Sequence, residues 1–344
     1  MALVVLVGVT QDGDGLPLAE HAPPATDSRA IELDLAPATT TVPPPTTAPE
    51  TTTTTAPTTT TVTYLPLLPP IEPAAQFTVE PYQGLGAWID VYDWSLTFTG
   101  GNPAISPTDI DRMASLGVRT LFIQASKFQS PEVVLEPDRL GVLIDRAHAD
   151  GMRVVAWYLP LLVDPGNDVW RILQLAELPV DGVAVDIEAR DIPDVADRNS
   201  RLQFVSDQVR ANLPGQVIGG IVLPPVVMED INPNYWPGFP WAGIAADYDV
   251  WLPMAYWSQR RADSGWRDGY AYTAANIDRI RGHIGQPDAI VHPVGGLGEA
   301  SSPDQIAGML EAAVERGAIG GSIYDYRTTG NELWVALQPF DGPG

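Results

Sequence analysis

The feature that most constrains this chain is a strand–helix rhythm that repeats eight times. Short apolar runs rich in Val, Ile and Gly recur about 30–40 residues apart, which is the length of one βα unit. Because successive βα units bring parallel strands side by side, eight of them predict an α/β fold, the (β/α)₈ TIM barrel. The predicted strands span residues 84–89, 118–124, 152–158, 182–187, 217–222, 250–255, 289–294 and 320–324.

Between the predicted strands, helices begin at recognisable residues. Ser106-Pro107 and Ser302-Pro303 each combine an N-cap side chain with a proline in the first turn. A doubly wound open sheet is the alternative, but it normally carries a phosphate-binding glycine loop after its first strand. The glycines here stand at the start of that strand, which favours the barrel. Residues 224–240, rich in Pro and aromatic residues, predict a long loop over the barrel mouth instead of a helix.

Ahead of the barrel, the composition changes twice. Residues 38–75 are dominated by Thr, Pro and Ala, which bury too little apolar area to offset the entropy of ordering, so we expect a disordered linker. Residues 1–37 form an acidic leader whose first residues, 1–9, are apolar and could be the remnant of a signal peptide. Thr/Pro stalks are typical of exported surface proteins. We therefore expect a barrel domain over residues 76–344 in an extracellular or cell-envelope protein.

Charge and cysteine content exclude several classes of function. The formal net charge is −24 and Lys127 is the only lysine, so phosphate backbones would repel the chain and nucleic acid is not expected as a partner. With no cysteine, the chain has no disulfide, thiol nucleophile or thiolate zinc site. The apolar run at the N-terminus is too short to span a bilayer, and we expect no membrane span. The sequence leaves the oligomeric state open.

The fourth predicted strand delivers two carboxylates at its C-terminal end, Asp186 and Glu188. Residues two apart on a strand point to the same side, so both acids should face the barrel mouth, where active sites of this fold lie. Neighbouring carboxylates perturb each other's ionisation and can hold one proton near neutral pH, as a general acid requires. The alternative is a helix N-cap followed by a solvated acid.

The other predicted strand ends make the mouth acidic and aromatic. Aromatic faces pack against the C–H faces of sugar rings and carboxylates hydrogen-bond hydroxyls, so this set favours a carbohydrate polymer, and a neutral one over an anionic one. Tyr256 is expected to donate a hydrogen bond near the reacting centre. The predicted substrate-binding residues are Trp88, Asp90, Gln124, Trp157, Met254, Trp257, Glu299, Tyr324 and Asp325.

The acidic and histidine residues also determine whether the sequence predicts a metal or cofactor site. Asp90, Asp93, Asp186 and Asp325 offer oxygen ligands of the kind that calcium or magnesium prefers, but their spacing matches no dedicated loop. The histidines show no paired zinc spacing, and His292, the one near the mouth, is expected in the core. We therefore predict neither a metal nor a cofactor.

The fourth strand resembles the signature of glycoside hydrolase family 18, the chitinase-like barrels. The matching residues are Val180, Asp181, Gly182, Val183, Val185, Asp186 and Glu188; Met254-Ala255-Tyr256 and Gly320-Gly321-Ser322-Ile323-Tyr324 resemble two further motifs of that family. The resemblance implies that Glu188 protonates the leaving oxygen. It implies that Asp186 orients the substrate's acetamido group, which itself attacks the anomeric carbon.

Three positions depart from the family pattern. Ala184 stands where the family has a further Asp, Trp257 where an Asp or Asn follows the Tyr, and Tyr324 where the last aromatic is Trp. The main hypothesis is an exported glycoside hydrolase that acts on a polysaccharide or cell-envelope glycan, with Glu299 as the nucleophile in one variant. A lectin-like barrel that binds carbohydrate without turnover is the alternative, and another glycan or a non-carbohydrate substrate stays open.

Overall fold

The structure, a computed structural model, describes residues 77–338. Its strands are β1 (Gly84–Ile89), β2 (Thr120–Gln124), β3 (Arg153–Tyr158), β4 (Gly182–Ile187), β5 (Ile218–Val222), β6 (Val250–Pro253), β7 (Ile290–Val291), β8 (Val294–Leu297) and β9 (Gly320–Tyr324). Its helices are α1 (Val91–Trp94), α2 (Pro107–Ser115), α3 (Pro137–Ala149), α4 (Pro165–Ala176), α5 (Val195–Asn212), α6 (Trp241–Ile244), α7 (Gly269–Ile284), α8 (Pro303–Glu315) and α9 (Asn331–Leu337).

The strands form one parallel sheet that closes on itself, which confirms the predicted barrel. From β1 to β6 each strand pairs with the next, β7 pairs with β6, and β9 pairs with β1 and β8. A parallel bridge between Met254 and Val294 joins β6 to β8. Strands β7 and β8 are therefore the two halves of the seventh barrel strand, and β9 is the eighth.

The seventh strand is interrupted at Pro293, a break that the sequence analysis did not predict. Proline has no N–H to donate to a strand ladder, so it weakens pairing where it lies. Backbone bonds continue around it, because His292 N–H donates to the Trp251 carbonyl at 2.9 Å and the Pro293 carbonyl accepts from Ser322 at 3.1 Å. The barrel stays closed across the interruption.

The helix starts and most strand bounds agree with the sequence. Ser106 and Ser302 both form capping boxes with the residues three positions on, as their helix-start pattern predicted. The prediction of an uninterrupted loop over 224–240 was wrong at its start, because a π-helical turn spans Val227–Ile231. The Val226 N–H donates to the side chain of Asn276, and this bond ties the turn to α7.

The barrel interior is narrow near its N-terminal end. Tyr82, from a short 3₁₀ turn (Glu80–Tyr82), is fully buried there, and its hydroxyl donates to the Val183 carbonyl at 2.7 Å. A Cβ on Gly182 would lie 2.9 Å from the Tyr82 hydroxyl oxygen, and one on Gly219 would lie 2.9 Å from the Tyr82 ring, so strands β4 and β5 need glycine beside it. The interior therefore has no room for a larger side chain at that depth.

Inside the barrel, His292 is fully buried between the Tyr82 carbonyl and the Ser322 hydroxyl, at 2.7 and 2.9 Å. Burial lowers the pKa of His292 to about 4, so its imidazole is neutral at pH 7. The expectation of a core histidine agrees with this placement.

The predictions for residues 1–75, the acidic leader and the Thr/Pro linker, lie outside the described residues. Within residues 77–338, no helix has both the length and the apolar character that a bilayer crossing demands.

Candidate active site

Asp186 and Glu188 lie together on the inner side at the C-terminal end of β4. Val183, Val185 and Ile187 occupy the alternate, outer positions of the strand, so strand geometry directs both acids inward. Asp186 is 3% and Glu188 1% exposed. Burial and the neighbouring Glu188 charge raise the pKa of Asp186 well above its usual range. The pair can therefore hold a proton at a higher pH than an isolated carboxyl group would.

Tyr256 faces the same two acids from the seam after β6. It is 5% exposed, and its pKa is raised by burial and by the charges of Glu188, Asp186 and Asp325. Its hydroxyl is therefore neutral and can donate. The ring centroid lies 6.0 Å from that of Tyr324, which places the two phenols side by side at the mouth.

A second group of acids closes the opposite side of the mouth, on the ends of β1 and β9. Asp90, Asp93 and Asp325 are fully or almost fully buried. The Tyr324 hydroxyl donates to Asp90 Oδ2 at 3.0 Å, and Arg327 Nε lies 3.3 Å from Asp93 Oδ1. Burial, followed by the charges of Asp90 and Asp325, raises the pKa of Asp93 to about 8. A proton on Asp93 thus relieves the repulsion within the cluster.

This cluster is also the place where a hard cation would fit. One carboxylate oxygen from each of Asp90, Asp93 and Asp325 lies within 4.8 Å of the others. Asp186, the fourth acid considered from sequence, is not part of the group. The tyrosine and arginine contacts already occupy oxygens of the cluster, and the prediction that no metal binds stays a prediction.

The aromatic floor of the mouth is built on Trp88. Its indole stacks on Phe122 with centroids 4.3 Å apart, and its Nε1–H donates to Ser322 Oγ at 2.8 Å. Trp157 and Tyr324 lie 6.0 and 6.4 Å from it. Both tryptophans are almost fully buried. Within residues 77–338, the Trp157 Nε1–H has no hydrogen-bond partner, so it is a donor that a ligand could use.

Two predicted substrate-binding residues, Gln124 and Met254, make hydrogen bonds with backbone groups around the mouth. Gln124 Oε1 accepts from the Val91 N–H at 3.2 Å, and its carbonyl accepts from Trp94 Nε1 at 3.0 Å. Met254 is 2% exposed and makes the bridge that closes the barrel. Both residues therefore hold the β1 loop and the β6–β8 junction in place.

Trp257 and Glu299 are not brought to the carboxylate pair. Trp257 is fully buried against Gly295 and Gly296 of β8, whose Cβ atoms would lie 2.6 and 2.9 Å from its ring. Met309 of α8 would also contact a Cβ on Gly295, so Trp257 lies between the sheet and the helices. Its ring therefore presents no face to a sugar. Glu299 is exposed in the short turn Gly298–Ala300. The structure thus places neither side chain beside Asp186 and Glu188, and their assignment to the substrate site stays a prediction.

Tyr235, which sequence reasoning did not single out, lies beside the pair. It comes from the loop after the π-helical turn and is 2% exposed. Its pKa is raised by burial and then by the charge of Glu188, with a smaller contribution from Asp186. The aromatic content of residues 224–240 was the available signal, but a loop sequence does not reveal which of its rings turns inward.

The mouth is closed in this conformation. The acids, Tyr256, Tyr324 and both tryptophans of the floor are each at most 5% exposed. The polar groups of the mouth therefore have little contact with solvent in this structure.

Comparison with known proteins gives the fold. No protein-family model matches the chain, and no curated protein matches it. Among solved structures, the Cycas revoluta chitinase in complex with (GlcNAc)4 has a TM-score of 0.54 at 11% identity, over 75% of this chain and 98% of that one. The Bacillus cereus spore cortex-lytic enzyme SleL gives 0.54 at 11%, over 74% and 73%.

A third similar structure widens the range of barrels. The β-galactosidase of Marinomonas ef1 gives a TM-score of 0.54 at 9% identity, over 74% of this chain and 58% of that one. At such identities the similarity establishes the barrel fold. It includes chitinases, as the resemblance of the fourth strand led us to expect.

Proposed function

We propose that this protein is a glycoside hydrolase in which Glu188 is the general acid and base. The observation that carries the proposal is the buried Asp186–Glu188 pair on the inner side of the fourth strand, where burial and the charge of Glu188 raise the pKa of Asp186. Its position at the C-terminal ends of the strands is where the catalytic groups of this fold lie. The similarity to chitinase-like barrels supports the same assignment.

In this proposal the three polar groups have different tasks. Glu188 gives its proton to the glycosidic oxygen as the bond to the anomeric carbon breaks, and it later takes a proton from the attacking water. With the proton of the pair on Glu188, Asp186 accepts a hydrogen bond from the substrate's acetamido N–H, so that the acetamido oxygen is turned toward the anomeric carbon and attacks it as the glycosidic bond breaks. Tyr256 donates a second hydrogen bond from the opposite side. The exposed position of Glu299 gives no support to the variant in which it is the nucleophile.

We further propose an exported protein that acts on a polysaccharide or cell-envelope glycan. The support is the acidic and aromatic mouth, together with a neighbour whose solved structure holds (GlcNAc)4 and another named as a cortex-lytic enzyme. These properties belong to the neighbours, and they guide the choice of glycans to test.

The test is release of reducing ends from a panel of soluble and insoluble glycans by residues 76–344. Glu188→Gln removes the proton donor and keeps the shape, so we expect turnover to fall about 10²–10⁴-fold. Glu299→Gln is the matched control, an exposed acid of the same barrel end, and should retain turnover. Equal rates for wild type and Glu188→Gln would refute the assignment.

The second candidate, a binding barrel without turnover, is favoured by one observation. Ala184, buried on the inner side of β4 next to the pair, stands where the chitinase-like family has a further Asp. Glycan binding by wild type and Glu188→Gln alike, with no release of reducing ends from any glycan, would establish this candidate in place of the first.

A further inference from the structure

Two arginines beside the carboxylate pair form a recognition site of their own. We propose that Arg190 and Arg198 bind a carboxylate group carried by a sugar of the glycan. The inference rests on the proposed function only in that the mouth receives a glycan, and it does not require turnover.

Both guanidinium groups lie on aromatic rings of the loop between β5 and β6, in which Tyr235 is close enough to Glu188 for that charge to raise the pKa of the phenol. Arg190, two residues after Glu188, has its guanidinium carbon 4.5 Å from the centroid of the Tyr235 ring. Arg198, in the first turns of α5, lies 4.3 Å from the Trp236 ring. The Trp236 Nε1–H donates to Asn199 Oδ1 at 2.6 Å, which fixes the second ring against α5. The two cations thus flank the catalytic strand end.

Neither charge is neutralised within the part of the chain that the structure describes. Arg198 is 4% exposed, yet its Nε has no hydrogen-bond partner there, and its Nη1 makes one long bond of 3.5 Å to the Ala189 carbonyl. Burial, and then the like charge of Arg190, lowers the pKa of Arg198. Arg279, by contrast, pairs with two carboxylates.

An unneutralised buried cation is costly, because its desolvation is not offset by a counter-charge. The cost is most unexpected in a chain of net charge −24, where carboxylates are abundant. An anionic ligand group would supply the missing partner. Arginine suits this task, since the planar guanidinium matches a carboxylate with two parallel hydrogen bonds.

The surrounding acids select which anion fits. Asp186 and Glu188 lie within the same mouth, so a doubly charged phosphate would be repelled more strongly than a singly charged carboxylate. Arg190 is exposed and can reach a substituent that projects from the sugar ring. The site would therefore accept a neutral glycan backbone with one carboxylate beside the bond at Glu188.

The competing explanation is that the arginines only hold the loop, through their contacts with Tyr235 and Trp236. A structural role of this kind weakens binding of every glycan equally when either arginine is replaced. A recognition role weakens binding of the carboxylated glycan alone. The ratio of the two affinities therefore separates the explanations.

The experiment uses the Glu188→Gln protein, which cannot consume the probe, and isothermal calorimetry. The probes are a tetrasaccharide of alternating N-acetylglucosamine and N-acetylmuramic acid, a hyaluronan tetrasaccharide, and the methyl ester of each. A charged hydrogen bond is expected to give the acid at least about tenfold tighter binding than its ester for one of the pairs. Arg190→Gln in the same background should remove that preference.

Arg198→Gln should act in the same direction, and the exposed Arg190 variant keeps the test valid if the buried one fails to fold. Arg261→Gln, a surface arginine paired with Asp263, is the control and should keep the preference. Equal affinities for acid and ester in both pairs, no binding of any probe, or a preference that survives Arg190→Gln would overturn the proposal. A carboxylate preference without glycan hydrolysis by wild type would instead refute only the proposed function.

Discussion

At the scale of single residues, Asp93 shows that an acidic site can make the stability of the fold depend on pH. Its carboxyl group is buried beside two other acids, and these surroundings raise its pKa to about 8. As the pH rises, the unfolded chain, in which the pKa is near 3.8, therefore loses this proton at a much lower pH than the folded protein does. The stability that this proton contributes is fully present at acidic pH and is lost as the pH rises through the folded pKa.

We predict that Asp93→Asn flattens the dependence of stability on pH. Between about pH 4 and 8 the free energy of unfolding of wild type should fall more steeply with rising pH than that of the variant, by up to about 1.4 kcal/mol per pH unit. Urea unfolding at a series of pH values measures both. Asp145→Asn, at an exposed position of α3, should parallel wild type, and parallel curves for Asp93→Asn would contradict the prediction.

The residues of the candidate site were predictable where their position on a strand determines the side of the sheet to which the side chain points. Asp186 and Glu188 follow from alternation along β4, and Asp90 and Asp325 from the ends of β1 and β9. Trp257 stands after the end of β6, where alternation no longer applies, so the sequence did not show that its ring packs against β8. Tyr235 and Arg190 are placed by loop geometry, which no periodicity in the sequence reveals, and Arg198 lies on α5 facing the same loop.

At the scale of elements, β8 depends on glycine for its contact with the helix layer. A Cβ on Gly295 would lie 2.4 Å from Met309 Sδ and 2.6 Å from the Trp257 ring, both too close. We predict that Gly295→Ala lowers the free energy of unfolding by about 1–3 kcal/mol, the usual cost of overpacking.

The matched control for that variant is Gly141→Ala in α3. No atom lies within 4 Å of the Cβ that it would add, so helix propensity decides and stability should rise by about 0.5–1 kcal/mol. Urea unfolding of both variants is the measurement. Gly295→Ala with the stability of wild type would show that Trp257 and Met309 can move apart at no cost.

Elements were predicted best where composition and caps agreed. The bounds of β1, β4 and β9 match the sequence analysis residue for residue. The division of the seventh strand was missed because a single proline in an apolar run is compatible with a strand start as well as with a break. The π-helical turn was missed because prolines on both sides of it indicated a loop.

At the scale of the whole molecule, Tyr82 joins the start of the described chain to the far side of the barrel. It is fully buried and bonded to β4, which enters the chain a hundred residues later. We predict that Tyr82→Ala lowers the free energy of unfolding by about 3–5 kcal/mol through the cavity it leaves, and Tyr82→Phe by about 1 kcal/mol through the lost hydrogen bond.

The control for the hydroxyl is Tyr270→Phe, whose bond to Glu315 is exposed and should contribute less than about 0.5 kcal/mol. Chemical denaturation of the three variants is the measurement. A Tyr82→Ala protein as stable as wild type would show that the N-terminal end of the barrel closes without this side chain.

The architecture of the whole molecule was the most predictable property, because eight repeats admit few topologies. The chemistry was less so, because the same barrel hosts many reactions and the decisive features are pKa values and loop contacts. Burial of the mouth in particular depends on residues far apart in the chain.

The divided seventh strand also determines where the barrel is expected to open locally. Strand β6 meets β7 through two residue pairs and β8 through one bridge, whereas β4 and β5 share five pairs. Strand β8 also meets β9 through only three residue pairs, so the ring has the fewest pairs on the two sides of its seventh strand, where local opening is easiest. Thermal fluctuations that open the barrel without unfolding it are therefore expected at the seventh strand, which borders the segment that carries Tyr256.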